Sequence, residues 1–135
     1  RFLASDTIGM SIPSEKGFTL VEIIAVLVIL SVLAAVAIPR YISIDERARQ
    51  RAIDAGIAEL NGREVLTWSN IKITVTGYVD DATLFSQVST TLGDDYTWDG
   101  GAPTDSGGTL KFKESISVPL TRTASEDTHP ASWTR

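Results

Sequence analysis

Four aspartates that lie among glycines are the residues of this chain best suited to bind a metal ion: Asp94, Asp95, Asp99 and Asp105. Clustered carboxylates in a loop can hold calcium through hard oxygen ligands. With Asp95 in the first position of the EF-hand spacing, Asp99 and Gly100 fit the template. The twelfth position, which needs a bidentate glutamate, is Ser106. Calcium is therefore the one cofactor that the sequence suggests, and the alternative is that these aspartates and glycines form turns.

No residue pattern for catalysis is visible in the sequence. His129 is the single histidine of the 135 residues, and it lies in a polar tail without a second ligand at metal-binding spacing. A hydrolase triad needs a histidine beside an activated serine, yet the chain has neither a G-x-S-x-G motif nor a phosphate-cradling glycine motif. We therefore expect a protein that is not an enzyme.

The composition argues against two further kinds of protein. The chain has 12 basic and 17 acidic side chains and a formal charge of −5, so it offers nucleic acid no electrostatic attraction. It has no cysteine, which excludes a disulfide framework and any thiolate metal site. We expect one domain with a hydrophobic anchor and no nucleic-acid partner.

A single carboxylate lies in the most apolar stretch of the chain. The 21 residues from Phe18 to Ile38 have only three polar members, which are Thr19, Glu22 and Ser31. At about 1.5 Å per residue, a helix of this length crosses the hydrocarbon of a bilayer. A carboxylate costs about 2.5–3.5 kcal/mol at the centre of a membrane helix and less near its ends. We therefore predict a membrane helix over residues 18–39 and a partner for Glu22.

The junction that precedes this carboxylate has a distinctive order. Residues Lys16 to Glu22 read KGFTLVE, and the apolar run that follows closes on Ala37-Ile38-Pro39. In this combination, residues 16–40 resemble the N-terminus of type IV pilins and pseudopilins. The resemblance implies cleavage by a prepilin peptidase, on the cytoplasmic side, between Gly17 and Phe18. It also implies N-methylation of the new Phe18 amine.

The resemblance gives Glu22 and Pro39 roles in assembly. In such families the matching glutamate is thought to meet the N-terminal amine of a neighbouring subunit, which here is the amine of Phe18. A buried carboxylate that faces an ammonium group is stabilised chiefly as a pair, and such a pair sets the axial register of neighbours. Assembled pilins often lose helical structure near the matching proline, and Pro39 lacks a backbone donor, so we expect it to kink or open the helix.

The fold that the resemblance implies is α+β and pilin-like, with a long N-terminal helix packed on a small antiparallel sheet. The expected protein waits in the bacterial inner membrane until assembly machinery polymerises it with copies of itself into an extracellular, type IV pilus-like filament. The alternative is a major pseudopilin of a type II secretion system, in a periplasmic pseudopilus. The lack of cysteines slightly favours a pseudopilin or a compact pilin, because many pilins carry a C-terminal disulfide loop. A membrane-anchored monomeric binding domain is a further alternative.

Three segments follow from this interpretation. Residues 1–17 are a leader, with Met10 as an alternative start of translation, residues 18–39 are the anchor, and residues 40–135 form the rest of the long helix and a β-rich head. A rival interpretation takes Ala35-Val36-Ala37 as the end of a secretory signal peptide, which gives a mature chain that begins at Ile38. The 16-residue length of the apolar run from Ile23 to Ile38 and the acid at Glu22 argue against it.

A helical pattern resumes after Pro39 and continues to about Trp68, with two apolar stripes. We assign one stripe, formed by Ile42, Ile53, Ile57 and Leu60, to the protein's own sheet. The stripe on roughly the opposite side holds Tyr41, Ile44, Ala48, Ala52 and Ala55. Because small residues allow helices to approach closely, we assign Ala48, Ala52 and Ala55 to contacts with neighbouring helices. The alternative is a solvated helix in which alanine is only a good helix former.

The remaining elements are short. We predict a strand over residues 71–75, ended by Gly77, and a helix over residues 82–88, capped by Asp80 or Asp81. A brief strand over 96–98 then leads into a turn at Asp99-Gly100-Gly101. Residues 109–112 and 115–122 alternate as a hairpin, in which Pro119 should face a sheet edge or a bulge. Residues 123–135 are predicted as a loop, with Trp133 returning to cover the core.

Overall fold

The structure is a computed structural model that describes Gly9 and residues 16–135 of the chain. Its elements are the helices α1 (Leu20–Lys72) and α2 (Asp81–Gln87) and the strands β1 (Tyr96–Thr104), β2 (Gly107–Phe112), β3 (Ile116–Thr123) and β4 (Ser132–Thr134). The chain divides into two units, Arg1–Arg40 and Tyr41–Arg135. The predicted start at Met10, and most of the predicted leader over residues 1–17, lie outside the described residues.

The first unit contains the N-terminal part of α1. The apolar side chains of this part, from Leu20 to Ile38, are exposed. By length and composition, α1 is able to cross a membrane. Pro39 lies inside α1 and does not end it, so the local opening predicted at Pro39 does not occur in this isolated chain. Proline removes one backbone hydrogen bond, and the helix on either side continues without that bond.

The second unit combines the rest of α1 with an antiparallel sheet in the order β1-β2-β3-β4. Five buried residues form its core: Ile53, Leu60, Leu110, Leu120 and Trp133. Two of them belong to α1, so the sheet packs on the stripe of α1 that the sequence assigned to it. Ile42 of the same stripe is instead 62% exposed. It precedes Ile53 by three helical turns, about 16 Å along the helix, and this assignment was wrong.

Gly56 explains how the sheet comes so close to α1. A Cβ at this position would lie 3.1 Å from Leu110 Cδ2 and 3.1 Å from Tyr96 Cε1. Those distances are shorter than an ordinary van der Waals contact, so the absence of a side chain lets the sheet meet the helix backbone. The Tyr96 hydroxyl also donates a hydrogen bond to the Ala52 carbonyl, at 2.8 Å. A Cβ built on Gly62, by contrast, would have no atom within 4 Å.

The predicted strand over residues 71–75 was wrong. The helix α1 continues to Lys72, and Ile73 and Val75 beyond it are 84% and 108% exposed. Two contacts hold the end of the helix: Trp68 Nε1 donates to the Glu126 carbonyl at 2.9 Å, and Lys72 Nζ lies 2.6 Å from Asp127 Oδ1. These tertiary contacts outweigh the β propensity of the β-branched residues, which find no neighbouring strand.

The sheet differs from the prediction at its two edges. The strand β1 continues through Asp99-Gly100-Gly101, where a turn was predicted, and its register with β2 shifts between Asp99 and Thr104. Gly100 and Gly101 have positive φ, and such residues often form a bulge rather than a turn. At the other edge, three residues of the predicted C-terminal loop form β4, which pairs with residues 121–123 of β3.

Other predictions for this unit were confirmed. The hairpin is formed by β2 and β3, and Trp133 is buried in the core. Asp80 caps α2, since its carboxylate accepts a hydrogen bond from Thr83 N at 2.7 Å. The backbone N–H of Arg122 donates to the Ser106 carbonyl, which lies on the β2 side of β3. Alternate residues of a strand donate to opposite sides, so Pro119 faces the β4 side, where β4 reaches no further than Thr121.

The two helix glycines should respond differently to alanine. We expect Gly62→Ala to raise the free energy of unfolding by about 1 kcal/mol, because alanine is the better helix former and the added Cβ meets no atom. Gly56→Ala is the matched control, because the same gain in helix propensity is opposed by the contacts with Leu110 and Tyr96. Chemical unfolding of the full chain in detergent measures both. Equal gains for the two variants would contradict the close packing at Gly56.

Candidate functional site

The predicted processing site is an exposed, non-helical segment. Residues 16–19 precede α1, Phe18 is 83% exposed, and no atom lies within 4 Å of a Cβ built on Gly17. Exposed segments without secondary structure are the usual sites of proteolysis. The bond between Gly17 and Phe18 is therefore accessible to a peptidase in this chain.

Thr19 and Glu22 form a capping box at the first turn of α1. The Thr19 N–H donates to Glu22 Oε2 at 2.7 Å, and the Glu22 N–H donates to Thr19 Oγ1 at 3.2 Å. The Thr19 hydroxyl also donates to Glu22 Oε2, at 2.9 Å. The Thr19 carbonyl accepts the first helical hydrogen bond, from Ile23 N at 3.2 Å. This is the reciprocal arrangement that satisfies the free N–H groups at the start of a helix.

The capping box changes the interpretation of Glu22. From the sequence we expected a carboxylate that lacked a partner within its own chain. The structure gives it two hydrogen-bond donors, both from Thr19. These bonds satisfy one carboxylate oxygen without supplying a positive charge, so Glu22 still differs from a fully paired ion. The pattern T-x-x-E immediately before an apolar run is the sequence signal for this cap, and the prediction for Glu22 did not use it.

The alanines assigned to helix contacts have different surroundings. Ala48 and Ala55 are exposed, as the prediction requires. Ala52 is half-buried, and its carbonyl accepts the hydrogen bond from Tyr96 of the same chain. A groove beside it is lined by residues from α1 and from the end of the β2–β3 hairpin, among them Ala48, Phe112 and Lys113. Helix contact at Ala48 and Ala55 stays a prediction, whereas Ala52 already packs against its own head.

The four aspartates of the predicted calcium loop are not gathered around one point. Asp95 Oδ2 lies 3.7 Å from Lys113 Nζ, and Asp99 Oδ1 lies 4.0 Å from Lys111 Nζ. Asp94 and Asp105 are exposed. Within the described part of the chain, no group of three acidic, histidine or cysteine side chains is placed to hold a metal ion. Calcium binding by this loop stays a prediction that the geometry does not support.

A cluster of buried charges joins the elements of the second unit. The guanidinium group of Arg122, on β3, lies 2.7 Å from Glu64 of α1 and 2.7 Å from Asp81 of α2, and both Arg122 and Glu64 side chains are fully buried. Trp133 Nε1 of β4 donates to Glu64 at 2.9 Å. The Ser125 hydroxyl and N–H both donate to Asp81. One arginine thus holds two helices against the sheet.

The environment of the cluster shifts the pKa of two groups. Burial raises the pKa of Asp81, but hydrogen bonds from Arg122 and Ser125 and the positive charge of Arg122 outweigh it and lower that pKa to about 2. Burial lowers the pKa of Arg122, but hydrogen bonds and charge from Asp81 and Glu64 outweigh it and raise that pKa. Both groups are therefore ionised across the physiological pH range. The cluster is a structural feature and was not predicted from the sequence.

Comparison with known proteins bears on the N-terminal segment. Residues 12–38 match the family described as the prokaryotic N-terminal methylation motif. A type IV narrow pilus major component of Thermus thermophilus is 44% identical over 43 residues, which are 32% of this chain and 37% of that protein. The N-terminal segment of the chain is therefore similar to that of type IV pilins.

The architecture agrees with this similarity. A long apolar N-terminal helix and a four-stranded antiparallel sheet form an α+β fold of the pilin kind. The chain matches little more than a third of the length of its pilin relative. No solved structure matches the chain.

Acid should weaken the head through Asp81. The pKa of this carboxyl is about 2 in the folded chain, below its ordinary value of 3.8. Because the folded value is the lower one, the stabilisation is complete above pH 3.8 and is lost as the pH falls through 2. We expect the free energy of unfolding to decrease from about pH 4 to pH 2 in the native chain. Near-UV circular dichroism of the buried Trp133 reports this change.

Asp81→Asn is the control for the acid prediction. The asparagine keeps the size of the side chain and does not titrate, so this variant should be less stable than the native chain at pH 7 and should lose less stability between pH 4 and pH 2. An identical pH profile for the two chains would contradict the role given to Asp81.

Proposed function

We propose that the chain is a structural subunit that polymerises with copies of itself into a type IV pilus-like helical filament. A prepilin peptidase cleaves it between Gly17 and Phe18, and the new Phe18 amine is methylated. Before assembly the subunit is held in the bacterial inner membrane by residues 18–39. Inner-membrane assembly machinery then moves it into an extracellular filament.

One observation carries this proposal: the methylation motif over residues 12–38 coincides with an exposed Gly17–Phe18 junction and a helix that begins on Glu22's own capping box. The apolar side chains from Leu20 to Ile38 are exposed in the isolated chain, so they need either lipid or other apolar helices around them. Lipid surrounds these side chains before assembly, and the helices of neighbouring subunits surround them afterwards.

Glu22 is the proposed assembly residue. In the isolated chain its carboxylate accepts hydrogen bonds from Thr19 alone among the described residues. In the filament it pairs with the Phe18 amine of another subunit, and the exchange replaces a neutral donor with a cation. The ammonium adds a Coulomb attraction that the neutral N–H and O–H of Thr19 do not supply, so the ion pair favours the assembled state.

A major pseudopilin of a type II secretion system is the second candidate function. The absence of cysteine supports it, because the chain cannot form the C-terminal disulfide loop that many pilins carry. The similarity to a pilus component of Thermus thermophilus supports the pilus. Electron microscopy of material sheared from cells separates the two, since long surface filaments that contain this chain exclude a purely periplasmic pseudopilus.

The mass of the mature N-terminus tests the processing step. We expect a chain that begins at Phe18 and carries one added methyl group, measured by mass spectrometry of the N-terminal peptide from membranes. A peptidase-deficient strain is the control and should retain the Gly17–Phe18 bond. A mature chain that begins at Ile38 would instead show that Ala35-Val36-Ala37 ends an ordinary signal peptide, and it would overturn the proposal.

Glu22→Ala tests assembly apart from membrane insertion. The variant loses the carboxylate but keeps the apolar segment, so we expect normal amounts in the membrane fraction and no filaments. Ser31→Ala is the matched control, since it removes a polar group from the same helix whose hydroxyl bonds only to its own helix, at the Val28 carbonyl. If Glu22→Ala assembled filaments as well as the native chain does, the protein would fit a monomeric anchored domain better.

A further inference from the structure

Nearly all charged side chains of the second unit have partners within the chain. Carboxylates such as Asp45, Asp54 and Glu59 pair with arginines, and Asp127 pairs with Lys72. Among the described residues after Tyr41, four charged side chains make no hydrogen bond or ion pair: Arg47, Arg51, Asp94 and Asp105. All four are exposed. Two cations and two anions are thus left for contacts outside the chain.

The two arginines share one face of α1, which we call the outward face. They are four residues apart, so their side chains are neighbours on the helix surface. At about 100° per residue they lie about 120° and 160° around the helix from the buried Ile53, on the side away from the sheet. Further along the same face are Ala55, Ala58 and Gly62, which are also exposed. These small residues let a second protein approach this part of α1 closely.

The head carries the opposite charge. Residues 73–135 include nine acidic and four basic side chains. Asp94 lies next to Asp95 in the turn before β1, so two carboxylates share this turn. Lys113 Nζ lies 3.7 Å from Asp95 Oδ2. Asp105 follows the other end of β1, and its backbone carbonyl already accepts a hydrogen bond from the guanidinium group of Arg122. Asp94 and Asp105 are therefore the two carboxylates of the head that are left for a second copy.

We propose that Arg47 and Arg51 on the outward face of one subunit form salt bridges with Asp94 in the head of a second copy. This inference rests on the proposed function, because it describes a contact between subunits of the filament. The partner is a second copy of this chain, chosen by charge: its head has an excess of five negative charges over residues 73–135, and the two unpaired charges on the outward face are both cations.

The positions along α1 support Asp94 over Asp105. Tyr96 bonds to the Ala52 carbonyl, which places the Asp94 turn close to the level of Arg51 on its own helix. Two copies that join Arg51 to Asp94 therefore need only a small axial offset, within about one helical turn of 5.4 Å. The Asp105 carbonyl accepts a hydrogen bond from Arg122, and Arg122 pairs with Glu64. Asp105 therefore lies near the level of Glu64 along α1. A contact with Asp105 needs an offset of about 20 Å.

The proposed pair of Glu22 with the Phe18 amine of another copy joins positions four residues apart, so it also requires an offset of only about 6 Å, well short of the 20 Å that an Arg51–Asp105 contact needs.

Cysteine cross-linking tests the contact directly, because the native chain has no cysteine. We expect filaments of the full-length double variant Arg51→Cys, Asp94→Cys to give a ladder of disulfide-linked multimers under mild oxidant. The double variant Arg51→Cys, Asp105→Cys is the matched control and should give at most a trace of dimer. A ladder that is absent for the Asp94 variant, or equal in the two, overturns the proposal.

Charge reversal supplies an independent readout. An exposed ion pair changes a contact about two- to five-fold, and each subunit of a filament makes the contact, so we expect Arg51→Glu to lower the filament yield several-fold. Adding Asp94→Arg should restore the yield, whereas adding Asp105→Arg should not. These side chains are exposed and make no hydrogen bond or ion pair within the described chain, so near-UV circular dichroism should show an unchanged head.

Binding to anionic lipid is the competing role for the two arginines. If Arg51→Glu leaves the filament yield unchanged but weakens binding of the full chain to vesicles of phosphatidylglycerol, the arginines bind headgroups and the proposal is wrong. A native chain that assembles, but whose variants neither cross-link nor respond to reversal, overturns this contact and leaves the proposed function standing. A native chain that assembles no filaments under the same conditions overturns both.

Discussion

The second unit depends on the buried contact between Arg122 and Glu64. These side chains are fully buried, and their contact joins the central strand β3 to α1 while Asp81 adds α2 and Trp133 adds β4. Buried charges are stable only when they are paired and hydrogen-bonded. Removing Arg122 leaves Glu64 buried without a cation, so the cluster fixes one arrangement of the elements more strictly than apolar packing alone would.

The small size of the head explains why it needs α1. The sheet and α2 follow the end of α1 at Lys72, and a segment of this size buries too little apolar surface to be stable alone. Ile53 and Leu60 supply core from the helix, and Gly56 lets the sheet reach them. Trp68 and Lys72 hold the other end through Glu126 and Asp127. The helix is therefore as much a part of the head's core as the sheet is.

Local patterns predicted the elements that depend on local physics, and they failed where distant contacts decide. The apolar run, the β2–β3 hairpin and the cap at Asp80 follow from periodicity and turn chemistry that a single segment contains. Residues 71–75 have the composition of a strand, but Trp68 and Lys72 bond to residues more than 50 positions away and keep the chain helical. The Arg122 cluster was invisible for the same reason, because Glu64, Asp81 and Arg122 are ordinary charges until the fold brings them together. Thr19 is the exception: its T-x-x-E pattern was local and was missed.

The features that the fold of one chain does not explain lie on α1 and face away from the sheet. An exposed glycine inside a helix costs about 1 kcal/mol relative to alanine, and Gly62 gives no packing in return within the described chain. Leu66 is 65% exposed, and Arg47 and Arg51 lie on the same side of the helix. The sheet, by contrast, offers few features for contacts outside the chain, because its apolar residues pack on α1. Its edge strand β1 carries a bulge and a proline, and both hinder pairing with another strand. In the proposed filament, contacts between subunits therefore belong to the helix and the turns of the head, and the sheet serves to hold those turns in place.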